Sequence, residues 1–234
     1  MAERFLSSIK PRPDFAKDVV KVLHLRPAVS PERGASILRL CQGLQELSLQ
    51  IAANLPDAEN PLLPPLRGFK SGLTTLRMDL ASAFYDPHVF LPTFTLLQRV
   101  KRLHLSNTWV ARRGLHIGLH DLSQLTHLSF HSRPPGLHTT RIEVVLLILQ
   151  RLPRLRVLVL WRMDYHTSQE IYAWLIQHRV MDRRIVVFNS IFFTEFTEPV
   201  SSFWEAAEQV VRWRENNEGM LLLFCWVLVK LINT

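Results

Sequence analysis

The chain has 234 residues, 47% of them hydrophobic, a formal charge of +8 and a pI near 10.1. That is ample apolar material for a core, and the positive balance favours an acidic partner, whether protein, nucleic acid or membrane surface. Two cysteines, Cys41 and Cys225, without C-x-x-C spacing argue against a disulfide framework or a zinc site and for a reducing compartment, cytoplasmic or nuclear.

The first ten residues lack the apolar stretch a secretory signal needs. Phe5, Leu6 and Ile9 have helical spacing, and Pro11 and Pro13 break that helix before a first strand at about Val20–Leu25. A turn through Pro27 and Pro31 leads to a helix near Ala35–Cys41, with Ile37, Leu38 and Leu40 inward and Gly43 closing it. Strand two follows at Leu44–Leu49. Six prolines and glycines between Asn54 and Gly72 preclude a long helix there. Phe84–Gln98 reads as a turn and then a helix from about Pro92, and Leu115–Ser123 as a single turn. Arg133-Pro134-Pro135-Gly136 is a turn cluster ahead of an apolar helix, Ile142–Leu152. Thr167 and Glu170 have capping-box spacing for a helix over Ser168–His178. Ser202 and Glu205 repeat that signature, and Phe203, Ala207, Val210, Val211 and Arg214 mark one face of a last helix ending at Gly219. The apolar run Leu221–Val229 is nine residues long, against the roughly 20 of a membrane-spanning helix.

One spacing organises the whole chain. In Val100-Lys101-Arg102-Leu103-His104-Leu105, apolar residues hold positions 1, 4 and 6, and the pattern recurs at Val20/Leu23/Leu25, Leu44/Leu47/Leu49, Leu73/Leu76/Met78, Leu125/Leu128/Phe130 and Leu155/Leu158/Leu160. A seventh copy is degraded, with Asp182 in the first slot before Ile185 and Val187. Starts at 20, 44, 73, 100, 125, 155 and 182 are 24 to 30 residues apart, the mark of a repeat protein whose units bury their apolar faces against their neighbours.

This L-x-x-L-x-L spacing resembles the leucine-rich-repeat family over about residues 20–188. The resemblance implies an α/β solenoid: curved, with about seven repeats, short parallel strands inside and helices outside. Residues 1–19 would then be an N-terminal cap, 20–200 the solenoid, 201–220 a capping helix over the open end of the last repeat, and 221–234 an apolar tail. The ninth position, often Asn or Cys in the family, is Ala28, Ala52, Ala81, Thr108, Arg133 and Met163 here, so the repeat is of an irregular variety. Irregular repeats behind a sequence such as Phe5-Leu6-Ser7-Ser8-Ile9 are similar to the region that follows the F-box in fungal F-box proteins, although the short stretch before the first strand shows no F-box itself. The likeness implies substrate recognition for a cullin-RING (SCF-type) ubiquitin ligase.

Strand side chains alternate between faces, so positions 3, 5 and 7 of each copy point away from the triplet. Those slots hold a basic, histidine-bearing set with Arg77, Arg102, His104, His127 and His131, beside Trp161, Arg184 and Phe188. Two readings stand for the apolar end of this surface. Trp161 and Phe188 anchor a protein or peptide partner, an acidic one by the chain's charge, or the C-terminal tail folds back and covers them. The basic pairs Lys101/Arg102, Arg154/Arg156 and Arg183/Arg184 would align along one edge, able to meet an acidic peptide or phosphate. No nucleic-acid-binding motif accompanies them. His104, His127 and His131 lack a further cysteine or carboxylate to complete a zinc set, so no metal is expected. G-x-S-x-G, phosphate-loop and H-E-x-x-H signatures are all missing, Asp86-Pro87-His88 reads as a turn, and Cys41 as a small core residue. The expectation is a non-enzymatic interaction module without a cofactor. Its alternative is a basic surface for nucleic acid or another acidic or phosphorylated partner.

Overall fold

In the computed structural model, residues 2–51, 56, 59–69, 72–79, 95–106, 118–131, 142–162, 168–189 and 200–217 are described. Seven strands form one parallel sheet in sequence order: β1 (Val22–Leu25), β2 (Glu46–Leu49), β3 (Thr75–Met78), β4 (Arg102–Leu105), β5 (His127–His131), β6 (Val157–Arg162) and β7 (Ile185–Asn189). The described helices are α1 (Ala2–Ile9), α2 (Pro13–Val19), α3 (Pro31–Leu40), α4 (Leu63–Arg67), α5 (Ile142–Arg151), α6 (Ser168–Gln177) and α7 (Val200–Asn216). The chain is thus α/β, with short 3-10 turns at Leu97–Arg99 and Leu119–Asp121.

Strand pairing places the sequence triplets in register. Leu23, Leu47, Leu76, Leu103, Leu128, Leu158 and Ile185 are successive partners across the sheet, and Leu25, Leu49, Met78, Leu105, Phe130, Leu160 and Val187 form a second row. Both rows are buried, and they share one core with Ile37 and Leu38 of α3, Leu63 and Leu66 of α4, Val144, Val145 and Ile148 of α5, and Ile171 and Leu175 of α6. Each strand thereby adds two apolar side chains to a layer already begun by its predecessor, which the helices of that face cover after β1, β2, β5 and β6. Threonines tie the steps together: the Thr74 hydroxyl donates to the Gln45 carbonyl and that of Thr126 to the Lys101 carbonyl.

Local signals place the connecting elements. Ser30 caps α3, accepting the Arg33 amide, with Pro31 in the first turn. That helix starts four residues before the expected Ala35 and leaves Leu40 only half-buried. Gly43 does not serve as the left-handed helix end: α3 stops at Leu40, and the need for glycine is steric. A Cβ at Gly43 would overlap the Lys17 carbonyl oxygen of α2, which lies directly against it. Between residues 54 and 72 the proline-rich segment forms the five-residue α4 and no longer helix among the described residues. The degraded seventh triplet has a physical explanation. Asp182 accepts the Arg184 backbone amide and its guanidinium, so the first slot caps a turn instead of filling the core.

The last helix departs from expectation. It does not simply cover the end of the sheet. α7 lies on the face opposite the other helices, where Phe203, Trp204, Ala206, Ala207, Val210 and Val211 form a second core with Val157, Val159 and Trp161 of β6 and Val186 and Phe188 of β7. It begins at Val200, so Ser202 is inside its first turn and not at its cap. The helix start at Pro92, the Asp86–His88 and Arg133–Gly136 turns, the Thr167 cap, Gly219 and the tail 221–234 lie outside the described residues.

At the outer edge of β7, α7 also supplies a polar strap. Arg214 is 5% exposed; its guanidinium donates to the carbonyls of Arg183 and Ile185 and to the Tyr172 hydroxyl of α6, which also accepts the Val187 amide. These are groups on the outer edge of β7, so a helix from each face meets there and satisfies an edge that would otherwise invite another strand.

If the in-register rows hold the sheet together, Leu103→Ala, in the middle of the first row, should lower unfolding free energy by about 2–5 kcal/mol in a urea titration. Val22→Ala, at 55% exposed on the opposite face of β1, should change it by less than about 0.5 kcal/mol. Equal effects would contradict the burial pattern.

Candidate functional site

The sequence singled out eight residues among the outward slots, and the structure sorts them into four environments. Trp161 and Phe188 are 1% and 4% exposed and sit beneath α7, where Phe203 packs against both rings at centroid distances of 5.3 and 5.5 Å. They are core residues and not open anchors. The element that covers that apolar patch is helix 200–216, expected over the end of the last repeat; the tail, the expected alternative cover, lies outside the described residues. Contiguous apolar strands require such cover: Val157 to Trp161 and Ile185 to Phe188 are apolar on both faces, and each face needs a layer.

Arg77, His104 and His131 form the second environment, buried at 8%, 3% and 3% exposure on β3, β4 and β5. The His104 ring meets Trp161 and Phe203 edge-on, at 6.0 and 5.5 Å. Burial, then the charges of Arg77 and His131, push its pKa well below the usual histidine value, so the ring is neutral at pH 7. Its Nε2 has no hydrogen-bond partner among the described residues. Among the described residues no three His, Cys, Asp or Glu side chains converge as metal ligands would.

Glu208 organises the third environment, and the sequence reading did not single it out. From α7 its carboxylate takes a hydrogen bond of 2.8 Å from His127 Nε2 and pairs with Arg102 at 3.2 Å and Arg212 at 3.9 Å. Thr126 lies 2.8 Å from the other ring nitrogen. Burial and the Arg102 guanidinium outweigh Glu208 and hold the His127 pKa at about 4. The neutral ring therefore carries its proton on Nε2, and its Nδ1 competes with the Lys101 carbonyl for the one Thr126 hydroxyl proton. Burial works to raise the Glu208 pKa, but the bond from His127 and the charges of Arg102 and Arg212 keep it below its ordinary value. Nothing in the local sequence signals this pairing across 81 residues.

Arg184 is committed elsewhere. Its guanidinium bonds both Asp182 oxygens, at 2.9 and 2.7 Å, and the carbonyls of Leu155 and Leu149, so it braces the turn before β7. The hydrogen bond to Asp182 raises its pKa further, and the same contacts overcome the burial of Asp182 to lower the carboxyl's. Cys41 is fully buried and its thiol is pushed up to about 11 by that burial, so it is a protonated core group at neutral pH.

Neither a nucleophile with a base nor a set of metal ligands emerges among these residues; what they build is a covered sheet face with a charged margin. Comparison with protein-family models, curated proteins and solved structures finds no match. The candidate site accordingly rests on geometry alone. Solvent-facing cations along the margin are Lys101, Arg154, Arg156, Arg183 and Arg212, of which Arg154 donates to Gln124 and Arg183 lies 3.9 Å from Glu215. Among the described residues no helix is long and apolar enough to cross a membrane.

The histidine burial has a measurable sign. Between the ordinary His value of 6.5 and about 4, the unfolded chain takes up a proton at His127 that the folded chain refuses. Stability from this group is therefore complete above pH 6.5 and is lost as pH falls toward 4. Thermal unfolding should show Tm falling from pH 7 to pH 5, with a shallower fall in His127→Gln, which keeps a donor to Glu208 but cannot titrate. An identical pH dependence in the two proteins would show that His127 is not buried in neutral form.

Proposed function

We propose that the chain is a leucine-rich-repeat solenoid acting as a non-enzymatic protein-protein interaction module with an acidic partner. The observation behind this reading is the order and register of the strands: seven parallel strands follow one another in sequence, and every triplet falls into the same two apolar rows. A stack of that kind buries its conserved spacing inside and leaves its variable positions for recognition. With the Trp161 and Phe188 end of the sheet occupied by α7, the margin bearing Lys101 and Arg154 is the surface left for an acidic partner. Substrate recognition for a cullin-RING ubiquitin ligase is the specific role that the F-box-like resemblance adds.

A second reading, a basic surface for nucleic acid, draws on the same cations and on the +8 charge. The two separate in one experiment. Affinity capture from cells with the tagged chain, with and without nuclease, should return a protein partner that survives nuclease and includes subunits of a cullin-RING ligase. Lys101→Glu with Arg154→Glu should reduce the recovered partner by about 10-fold, a change of about 1.4 kcal/mol. Recovery of nucleic acid alone, with binding that collapses as salt rises, would instead support the second reading. Recovery of nothing above the untagged control would contradict both.

A further inference from the structure

Beside the starts of β6 and β7, α7 borders an open cleft of about 180 Å³. Leu155, Val157 and Val211 make its floor. Four arginines line it, Arg156, Arg183, Arg184 and Arg212, together with Glu208 and Glu215.

Their commitments are unequal. Arg184 is neutralised by Asp182, and Glu208 by Arg102 and the hydrogen bond from His127. That leaves Arg156, Arg183 and Arg212 against Glu215 alone, a local balance of +2. Arg183 and Arg212 are each 58% exposed and reach their carboxylates only at 3.9 Å, beyond hydrogen-bond length. Arg156 is exposed and touches the network only through the field it exerts on His127. Among the described residues these three guanidinia thus border one small space without close carboxylate bonds of their own.

We propose that this cleft binds a single phosphoryl group on a peptide side chain, as in phosphoserine. A phosphomonoester carries about −1.5 to −2 charges at pH 7, which complements the local balance, and its oxygens suit the planar donor forks of arginine. The apolar floor suits the short tether that brings such a group in. A nucleic-acid strand fits less well, because one phosphomonoester already matches the local balance and leaves no positive excess in the cleft for its next phosphates. The assignment rests on the protein-interaction reading, since it presumes a protein ligand, but it is tested on the purified chain without any cellular partner.

The probe is the capped peptide Ala-Gly-pSer-Gly-Ala, titrated calorimetrically into the full chain at fixed salt. Its Ser and Glu counterparts, inorganic phosphate and a five-nucleotide deoxythymidine strand serve as comparisons. The phosphopeptide should bind at least about 10-fold more tightly than each of them. The triple variant R156A/R183A/R212A, all solvent-facing changes, should melt like the parent and lose that preference. Absence of phosphopeptide binding, equal binding by the variant, or tighter binding of the oligonucleotide would each overturn the proposal. Inorganic phosphate binding as tightly as the peptide would overturn its peptide part. A failed cellular capture with intact phosphopeptide binding would fault the interaction reading alone, and the reverse result would fault the cleft alone.

Discussion

Two continuous rows of aliphatic side chains, each running through all seven strands, are the constraint from which the rest of the molecule follows. Side chains in a strand alternate between faces, so once the rows are committed to the helix-backed core, every intervening position is committed to the other face. A slip of one residue in any strand would exchange the two sets. The composition of the other face is therefore fixed by the register and not by its own packing, and it changes along the sheet. β1 shows exposed Val22 and His24; β3 to β5 carry buried Arg77, His104, His127 and His131; β6 from Val157 to Trp161 and β7 from Ile185 to Phe188 are apolar.

The helix α7 resolves the last of these. Without it Val157, Val159, Trp161, Val186 and Phe188 would form an open apolar patch at one end of the sheet. With it they are core, and the polar groups at the border acquire fixed partners: Glu208 with His127 and Arg102, and Arg214 with the outer edge of β7. The same geometry leaves arginines at the open side of the helix with little to do inside the fold. Structure and surface chemistry are coupled here, because the carboxylates that α7 brings to the margin decide which guanidinia are spent and which are free to meet a ligand.

Much of the architecture was legible in the sequence. Triplet spacing located all seven strands, including the one whose first slot is Asp182, and proline and glycine placement ended α1 and kept α4 short, while α2 was not expected. The face on which the last helix packs was not legible, because amphipathicity gives a helix an apolar side without naming its partner. A usable signal was present: Val157 to Trp161 and Ile185 to Phe188 lack the alternation of the earlier strands, and uninterrupted apolar runs in a parallel sheet require cover on both faces. Reading them as candidate anchors took the outward slots one at a time. The Glu208 contacts could not have been inferred, since partners 81 and 106 residues away leave no trace in local pattern. Arg184, read as an outward cation, is partly exposed but tied to Asp182, which had been counted as a spoiled repeat position and not as a partner.

Protection of the α7 underside tests this account most directly. In a Cys225→Ser background, where the remaining Cys41 is buried, a cysteine is introduced at Ala207 in one protein and at exposed Gln209 in another, and the rate of thiol labelling is measured without denaturant. The account predicts rapid labelling for Gln209→Cys and strong protection for Ala207→Cys that disappears on unfolding. Labelling of Ala207→Cys as fast as Gln209→Cys in the folded protein would contradict it, because the helix could not then be seated on the sheet.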